Sequence, residues 1–342
     1  MAHFISDNTA GVHPQVMASL AACNSGPAPA YGQDRWTQAL EARMEALCTV
    51  PVAVALVGSG TAANALGLSL YTPPYGSILC HQHAHILSDE YGAPGFFSGG
   101  AQLWPLAGEH GKITPEAFSA ALAEAAGKLV KPAMLSLSLP TESGTAYSAQ
   151  EVAALCDMAH HAGMGVQVDG ARFANVAAQF GGLAQLAACG VNVLSFGGSK
   201  NGCMAAEMVV VMNPTPGAAS QLSLRRKQSG HTTAKARYQA AQFLAYLQDN
   251  LWLTLAAHAN SMAQLLASWV QQGAGMAPLH PVQANMVFYA LSPAQAESLR
   301  QAGHEFLAWH DGSYRFVMSY STTTADIMAL ADSLAAVRKA AA

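Results

Sequence analysis

Short apolar runs alternate with segments of helical spacing along most of the chain, and this alternation limits the possible folds more than any other feature. Short, fully apolar runs are typical of strands that are buried on both faces. Strands separated by helices favour a mostly parallel sheet that helices cover on both sides. We therefore predict an α/β protein, with strands at Val52–Val57, Ala133–Leu139, Val166–Val168, Val191–Phe196 and Met208–Met212.

Several sequence signals mark helices between these strands. Gly58–Thr61 follows the first predicted strand and opens a predicted helix that runs to about Tyr71. Ser148 and Glu151 have the spacing of a capping box, which predicts a helix start. The segment from about residue 234 to residue 270 is rich in Ala, Leu and Gln, and we expect one long helix there.

The alternating pattern starts again after Gly273, which indicates a second unit. Asn285–Leu291 and Tyr314–Ser319 are predicted strands, and Pro293–Ala302 and Thr324–Lys339 are predicted helices. A chain of 342 residues fits two domains, since domains commonly have ~100–200 residues. We expect a large α/β domain over residues 1–250, including the N-terminal segment, and a small C-terminal α/β domain over residues 251–342.

The composition excludes some classes of protein. Charged residues make up 11% of the chain, and the formal net charge of −4 argues against nucleic-acid binding. The hydrophobic content of 51% predicts a large core and additional surface that is hidden between subunits. No apolar run reaches ~18 residues, so no membrane span is expected. The six cysteines form no C-x-x-C pair and the N-terminus lacks a signal-peptide pattern, which predicts buried thiols in a cytoplasmic protein.

One group of histidines could bind a metal ion. His81, His83 and His85 would share a face if they lay on a strand or an extended loop. No carboxylate or thiolate ligand set accompanies them, so we expect no metal site.

Three chemically capable groups follow predicted strands. Ligands bind at the carboxyl ends of the strands in open α/β sheets, where Gly58–Thr61, Asp169 and Lys200 would lie. Each group also has a plainer explanation. The glycines could form a tight turn, Asp169 could cap a helix or pair with Arg172, and Lys200 could be a solvated charge. Their convergence on one edge of the sheet favours a common site.

The segment FGGSKNG at residues 196–202 places Lys200 among small residues directly after an apolar strand. A lysine in a confined site can have a lowered pKa and can form a Schiff base. Small neighbours would leave room for a planar cofactor, which indicates pyridoxal phosphate. Asp169 would then keep the pyridine nitrogen protonated, and the ring would accept electrons from the substrate.

Six segments, in order along the chain, resemble the low-specificity L-threonine aldolases. Those enzymes have the aspartate-aminotransferase-like fold of the fold-type I pyridoxal phosphate enzymes and are close to the β-eliminating lyases. The resemblance extends into the C-terminal lobe, where YRFVMS at 314–319 fits the carboxylate-binding strand. The six segments are SDN at 6–8, AYGQD at 30–34, GSGTAAN at 58–64, HAHILSDEYGAP at 83–94, VDGARFAN at 168–175 and SFGGSKNG at 195–202.

The resemblance implies roles for the residues that hold the cofactor. Lys200 would form the Schiff base, Asp169 would contact the ring nitrogen, and His85 would stack on the ring. Gly60 and Thr61 would hold the phosphate at a helix N-terminus, a position that suits an anion.

The resemblance also implies how substrate binds and how subunits share the site. Arg172 and Arg315, with Ser6, would bind the α-carboxylate of an amino-acid substrate, and Tyr31 would lie near the active site and the subunit boundary. Basic residues of the 222–238 segment would reach the phosphate of a neighbouring subunit in a homotetramer of tight dimers, unless they form a solvated helix face. The candidates are Lys227 and Lys235.

The implied reaction is the reversible cleavage of L-threonine, L-allo-threonine and related L-β-hydroxy-α-amino acids to glycine and an aldehyde. Many members of the family have a second histidine in the loop where this chain has Glu142, which we expect to be solvent-exposed. The catalytic base is therefore His85, a water that His85 orients, or Glu142. A β-eliminating lyase acting on another L-amino acid and a catalytically silent cofactor- or nucleotide-binding protein are the alternatives.

Overall fold

The computed structural model describes residues 2–309 and 311–340, so residue 1 of the large predicted domain and residues 310, 341 and 342 of the small one lie outside the described residues. The strands are β1 (Ala2–His3), β2 (Val52–Val57), β3 (Ser77–His81), β4 (Gln102–Leu106), β5 (Pro132–Ser138), β6 (Gly165–Gly170), β7 (Val193–Gly197), β8 (Glu207–Met212), β9 (Met286–Tyr289), β10 (His304–Glu305), β11 (Leu307–Ala308) and β12 (Tyr314–Val317).

Helices make up most of the remaining chain. The α-helices are α1 (Pro14–Cys23), α2 (Arg35–Cys48), α3 (Gly60–Ser69), α4 (His85–Ser88), α5 (Ala93–Ser98), α6 (Pro115–Ala126), α7 (Ala149–His161), α8 (Ala174–Phe180), α9 (Gly182–Ala188), α10 (Ala218–Gln228), α11 (Arg237–Leu247), α12 (Leu251–Ala274), α13 (Pro293–Gln301) and α14 (Thr324–Lys339). Short 3₁₀ helices are formed by Asp7–Thr9, Glu109–Gly111, Ser199–Asn201 and Gln248–Asn250.

A seven-stranded sheet with the order β2-β8-β7-β6-β5-β3-β4 forms the centre of the large unit. The strands from β7 to β4 are parallel, whereas β8 is antiparallel to both β7 and β2. The predicted mostly parallel sheet is confirmed. Strands β3 and β4 are not predicted from the sequence, because β3 has a three-residue apolar centre and β4 contains Pro105, which an edge strand tolerates.

The direction of β8 places several loops at one edge of this sheet. The carboxyl ends of β2, β5, β6 and β7 meet there, and β8 begins there because it runs in the opposite direction. Helix α3 packs closely over β7 and β8, where a side chain at Gly67 would place its Cβ 2.8 Å from Cγ1 of Val193. This edge therefore contains the N-terminus of α3, which follows β2, and the residues that follow β5, β6 and β7.

A smaller antiparallel sheet with the order β11-β12-β9 packs with α12, α13 and α14 in the C-terminal unit. Its core includes Leu266, Leu299 and Phe316, and Phe4 from the N-terminal segment also packs there. Helix α12 contributes to both cores, since Trp252 belongs to the core of the large unit. The division of the chain at residue 250 stays a prediction.

The predicted single helix over residues 234–270 is wrong. The chain forms α11 and α12 instead, separated by the 3₁₀ helix Gln248–Asn250. Asp249 and Asn250 have left-handed φ values of 49° and 57°, a conformation that Asp and Asn adopt more readily than most residues. This turn lets α11 pack on α1 and α2 while α12 packs on α14.

Other features of the composition are visible in the fold. All six cysteines are buried with free thiols, as predicted, and burial raises the pKa of Cys48 and Cys80 to about 12. No helix within the described ranges is both long and apolar enough to cross a lipid bilayer. The capping box of Ser148 and Glu151 starts α7, which confirms that prediction.

Candidate active site

A cavity of about 360 Å³ opens at the edge of the sheet where β2, β5, β6 and β7 end. Several residues singled out from the sequence line it: Gly60, Thr61, His85, Asp169, Arg172, Lys200 and Glu142. Ser6, Tyr31, Lys227, Lys235 and Arg315 do not line it. The lining also contains polar residues without an assigned role from the sequence, namely Asn8, Asn64, Glu90 and Glu207.

Lys200 lies in the 3₁₀ helix that follows β7, and its neighbours fix the local backbone. Gly202 has a left-handed φ of 100°, and a Cβ at Gly198 would lie 2.7 Å from Sγ of Cys203. Buried Asn201 donates hydrogen bonds to Oη of Tyr246 (2.8 Å) and to a backbone carbonyl (2.9 Å). Burial, and then the guanidinium of Arg172, lower the pKa of Lys200, so more of its amine is neutral and nucleophilic.

Asp169, next to the end of β6, is held by hydrogen bonds to both carboxylate oxygens. Oδ1 accepts a hydrogen bond from the backbone N–H of Ala171 (3.0 Å), and Oδ2 accepts one from Nδ2 of Asn64 (2.8 Å). Gln167 donates to Oδ1 of Asn64 at 2.9 Å, which fixes the orientation of that amide. The carboxylate is therefore rigidly placed at the cavity wall.

His85 begins α4 and contacts a buried glutamate. Its Nδ1 lies 2.9 Å from Oε1 of Glu90, whose side chain is fully buried and also accepts a hydrogen bond from Asn64 at 2.8 Å. The hydrogen bond to Glu90 raises the pKa of His85, and burial raises the pKa of Glu90. Asn64 thus links Glu90 and Asp169, so His85 and Asp169 belong to one polar network.

The idea that His81, His83 and His85 share a strand face is wrong. His81 ends β3, and its Nε2 lies 3.0 Å from the carbonyl oxygen of Gly108, whereas His85 lies on α4. Among the described residues, the group of possible metal ligands that lie within 4.8 Å of one another consists of His85, Glu90 and Asp169.

The N-terminus of α3 faces the cavity and has the features of an anion site. Ser59 caps the helix by accepting a hydrogen bond from the N–H of Ala62 at 3.2 Å. The first N–H groups of a helix lack intrahelical acceptors and lie at the positive end of its dipole. Gly60 and Thr61 occupy these first positions, so their backbone suits a phosphate.

Arg172 forms a buried ion pair with Asp7. Nε and Nη2 donate to the two carboxylate oxygens, each at 2.8 Å, and Asn285 donates to Oδ2 of Asp7 at 2.9 Å. Burial would raise the pKa of Asp7, but the charge and hydrogen bonds of Arg172, together with Lys200 and Asn285, hold it below its ordinary value. One edge of the guanidinium is therefore occupied by Asp7, and Nη1 remains for another anion.

Arg315, on β12, is buried and does not line the cavity. Its guanidinium lies 4.3 Å from the centre of the Trp309 ring, and Nη2 donates to the carbonyl oxygen of Ile5 at 3.4 Å. Its Nε is buried and has no hydrogen-bond partner in the part of the chain that the structure describes. Burial, and then the charge of Arg172, lower the pKa of Arg315 to about 10. Ser6 is also buried, and its hydroxyl donates to Asp7 at 3.2 Å.

The remaining predicted residues are Tyr31, Lys227, Lys235 and Glu142. Tyr31 is 55% exposed and has a left-handed φ of 60°, and the ammonium of Lys227 lies 5.3 Å from its ring centre. Lys235 is exposed as well. Glu142 is half-buried and lines the cavity, so the expectation that it is solvent-exposed is wrong. The hydrogen bond to Glu90 has the largest effect on the pKa of His85; burial lowers this pKa, and the charges of Asp169 and Glu142 raise it.

Residues 3–292 match the sequence model of the beta-eliminating lyase family. The chain belongs to this family. It is 36% identical over 341 residues to a low specificity L-threonine aldolase of Pseudomonas sp. (strain NCIMB 10558), covering 98% of both chains. It is 37% identical over 332 residues to a protein of the same name from Pseudomonas aeruginosa, covering 96% of this chain and 95% of the relative.

Solved structures agree with this membership. Threonine aldolase from Leishmania major superimposes with a TM-score of 0.89 at 25% sequence identity, and all of both chains is covered. The predicted fold-type I fold is thereby confirmed. The chain is a pyridoxal phosphate-dependent lyase.

The cavity of this lyase has donors that fit pyridoxal phosphate. Lys200 supplies an amine with a lowered pKa, Asp169 supplies a fixed carboxylate for the ring nitrogen, and α3 supplies a helix N-terminus for the phosphate. Asn64 and Glu90 lie inside the segments GSGTAAN and HAHILSDEYGAP, but only the structure reveals that they connect His85 with Asp169. Glu207 lies outside all the quoted segments, and no sequence signal marks it.

Proposed function

We propose that this lyase cleaves L-threonine, L-allo-threonine and related L-β-hydroxy-α-amino acids to glycine and an aldehyde, in a reversible reaction. The main support is one cavity that combines Lys200, Asp169 and His85 with a guanidinium, and the names of the two Pseudomonas relatives agree with it. Lys200 would hold the cofactor, Asp169 would contact its ring nitrogen, and Gly60 and Thr61 would hold its phosphate.

The substrate carboxylate would bind to two arginines. Arg172 keeps Nη1 for it, because Asp7 occupies Nε and Nη2, and Arg315 offers a buried Nε that needs an acceptor. Ser6 supports this end of the site through its hydrogen bond to Asp7. Two fixed guanidiniums would orient the substrate as well as bind it, and such positioning contributes strongly to catalysis.

His85 is our candidate for the base that takes the proton from the β-hydroxyl, directly or through a water. Nδ1 is engaged with Glu90, which leaves Nε2 for this proton. Glu142 lines the same cavity and is the competing base. Pyridoxal phosphate, when bound, supplies an electron sink for the electron pair that remains on Cα when the Cα–Cβ bond breaks.

We also propose a homotetramer of tight dimers whose subunits share active sites. Lys227 and Lys235 are exposed and do not line the cavity of their own chain, which leaves them accessible to the phosphate of a neighbouring subunit. Tyr31 lies beside Lys227, at the boundary that we assign to this contact. The reduced state of the six cysteines agrees with action in the cytoplasm.

The products distinguish the proposed reaction from its alternative. Purified protein is incubated with L-threonine and L-allo-threonine, and the products are identified for the wild type and for Lys200→Ala. We expect glycine and acetaldehyde from the wild type, and severe loss of both from the variant. A panel of other L-amino acids is assayed in parallel. Ammonia and a keto acid from one of them, without glycine and acetaldehyde from the threonines, would instead indicate a β-eliminating lyase, and no product from any member of the panel would indicate a silent cofactor-binding protein.

A further inference from the structure

Glu207 lies between the two loops that form the cofactor end of the cavity. It is the first residue of β8 and pairs with Val57 of β2 on one side and Gly197 of β7 on the other. Strand β2 leads into the capped start of α3, and β7 leads to Lys200. Its side chain is buried and lines the cavity.

Two glycines leave the space that the carboxyl of Glu207 occupies. A Cβ at Gly197 would lie 2.6 Å from Oε2 of Glu207, so any larger residue there would displace the carboxyl. A Cβ at Gly60 would lie 4.0 Å from the same oxygen. Since Gly60 is the first residue of α3, the carboxyl lies against the helix N-terminus that suits the phosphate.

No cation among the described residues neutralises the carboxyl of Glu207 by a direct contact. Within residues 2–309 and 311–340, no Lys or Arg nitrogen lies within 4.0 Å of it. Ser199 accepts a hydrogen bond from the N–H of Ala206 at 3.1 Å, and its hydroxyl and backbone N–H act on Glu207 to lower the pKa of that carboxyl, against the larger effect of burial. The ionisable groups around Glu207 are Lys200, Asp169, Cys203 and Tyr246. Burial raises the pKa of Glu207 to about 7, so about half of this carboxyl is protonated near neutral pH and nearly all of it in weak acid.

We propose that Glu207 contacts the phosphate of the cofactor in its protonated form, as a hydrogen-bond donor, so that cofactor binding in alkaline solution takes up one proton. A carboxylate at this position would repel a phosphate dianion, whereas a neutral carboxyl has one O–H to donate. Among the described residues, Arg172 and Lys200 are the Lys and Arg side chains that line the cavity, and we have proposed that they bind the substrate carboxylate and form the Schiff base, respectively. This inference rests on the proposed function, in that it requires pyridoxal phosphate in this cavity.

The sign of the pH dependence follows from linkage. The protonated form of Glu207 binds the phosphate and the ionised form repels it. The affinity of the protein for the cofactor therefore falls as pH rises through the pKa that Glu207 has in the free protein. The dissociation constant increases by up to about tenfold per pH unit. Glu207→Gln keeps the shape of the side chain and a hydrogen-bond donor but cannot ionise. The pH dependence that Glu207 adds to cofactor affinity is therefore absent in this variant.

The experiment measures Kd for 4-deoxypyridoxine 5′-phosphate, a cofactor analogue without the aldehyde that reacts with lysine. Cofactor-free wild type, Glu207→Gln and Glu41→Gln are titrated by intrinsic fluorescence between about pH 6 and about pH 9. Glu41 is a control outside the cavity whose pKa is also raised by burial. Ionisation of the analogue cancels in the ratio of the Kd of the wild type to that of each variant.

We expect the ratio for Glu207→Gln to rise about tenfold per pH unit above about pH 7, and the ratio for Glu41→Gln to stay constant. A constant ratio for Glu207→Gln would overturn the inference and leave the proposed function intact. Failure of the wild type to bind the analogue at any pH would overturn both. Should Glu207→Gln not fold, calorimetry of the wild type in two buffers of different ionisation enthalpy gives the proton uptake, and uptake well below one proton at about pH 8 contradicts the inference.

Discussion

Replacing Asp7 by Asn tests whether a buried ion pair holds Arg172, the arginine that we propose binds the substrate carboxylate. Both partners are nearly inaccessible, with 2% of the Asp7 side chain and 10% of the Arg172 side chain exposed, and two hydrogen bonds of 2.8 Å join them. Removing one partner of such a pair costs roughly 3–5 kcal/mol, because the other charge is left buried and uncompensated. We therefore expect Asp7→Asn to lower the free energy of unfolding by about 3 kcal/mol or more.

A double-mutant cycle separates this coupling from other effects. Asp7→Asn, Arg172→Met and the double variant are unfolded in urea without cofactor and followed by circular dichroism. The double variant should lose less stability than the sum of the single variants, because it leaves no unpaired charge. We expect a coupling energy of about 3 kcal/mol, on the scale of a buried pair.

The pH dependence supplies an internal control. The folded pKa of Asp7 is below its unfolded value, so the stabilisation is present above the unfolded pKa and is lost as pH falls through the folded pKa. The stability difference between the wild type and Asp7→Asn should therefore shrink in acid. A coupling energy under about 1 kcal/mol, as for exposed pairs, would refute the view that this pair holds Arg172.

Three further predictions concern the cavity. Glu90→Gln removes the partner that raises the pKa of His85, so the acid limb of the plot of kcat/KM against pH should move to lower pH. An unchanged pH profile would exclude His85 as the titrating base. His85→Phe keeps an aromatic ring but loses both ring nitrogens. We expect its kcat/KM for threonine and for allo-threonine to fall far more than that of Glu142→Gln, and the reverse order would assign the base to Glu142. Arg315→Lys cannot reproduce a guanidinium fork, so steady-state kinetics should give a lower kcat together with a higher KM, and a change in KM alone would argue against orientation.

The alternation of apolar runs was sufficient to predict the central strands and several helices, because burial on both faces leaves a strong local pattern. Helix α14 and the capping box of α7 have the predicted positions for the same local reasons. The break between α11 and α12 could not be predicted, because it depends on tertiary packing. The left-handed conformations of Asp249 and Asn250 let α11 and α12 pack on different helices. Hydrophobic spacing continues across this turn and conceals it.

The site was predictable only where its residues follow strands in recognisable segments. Lys200 and Asp169 meet because β7 and β6 are neighbours in a parallel sheet, a relation that strand patterns imply. The pairing of Asp7 with Arg172 joins residues 165 positions apart and leaves no local trace. Glu207 reaches the cavity because β8 is antiparallel, which reverses the end of the strand that faces the site.

Borohydride reduction of the purified protein tests most directly whether Lys200 holds pyridoxal phosphate at the edge of the sheet. The reduced protein is digested, and the lysine that carries the pyridoxyl group is identified by mass spectrometry. The geometry predicts a single modified peptide containing Lys200, because this amine lies in the cavity and has a lowered pKa. A pyridoxyl group on Lys131 or Lys227 instead, or none on any lysine of the purified protein, would contradict the account.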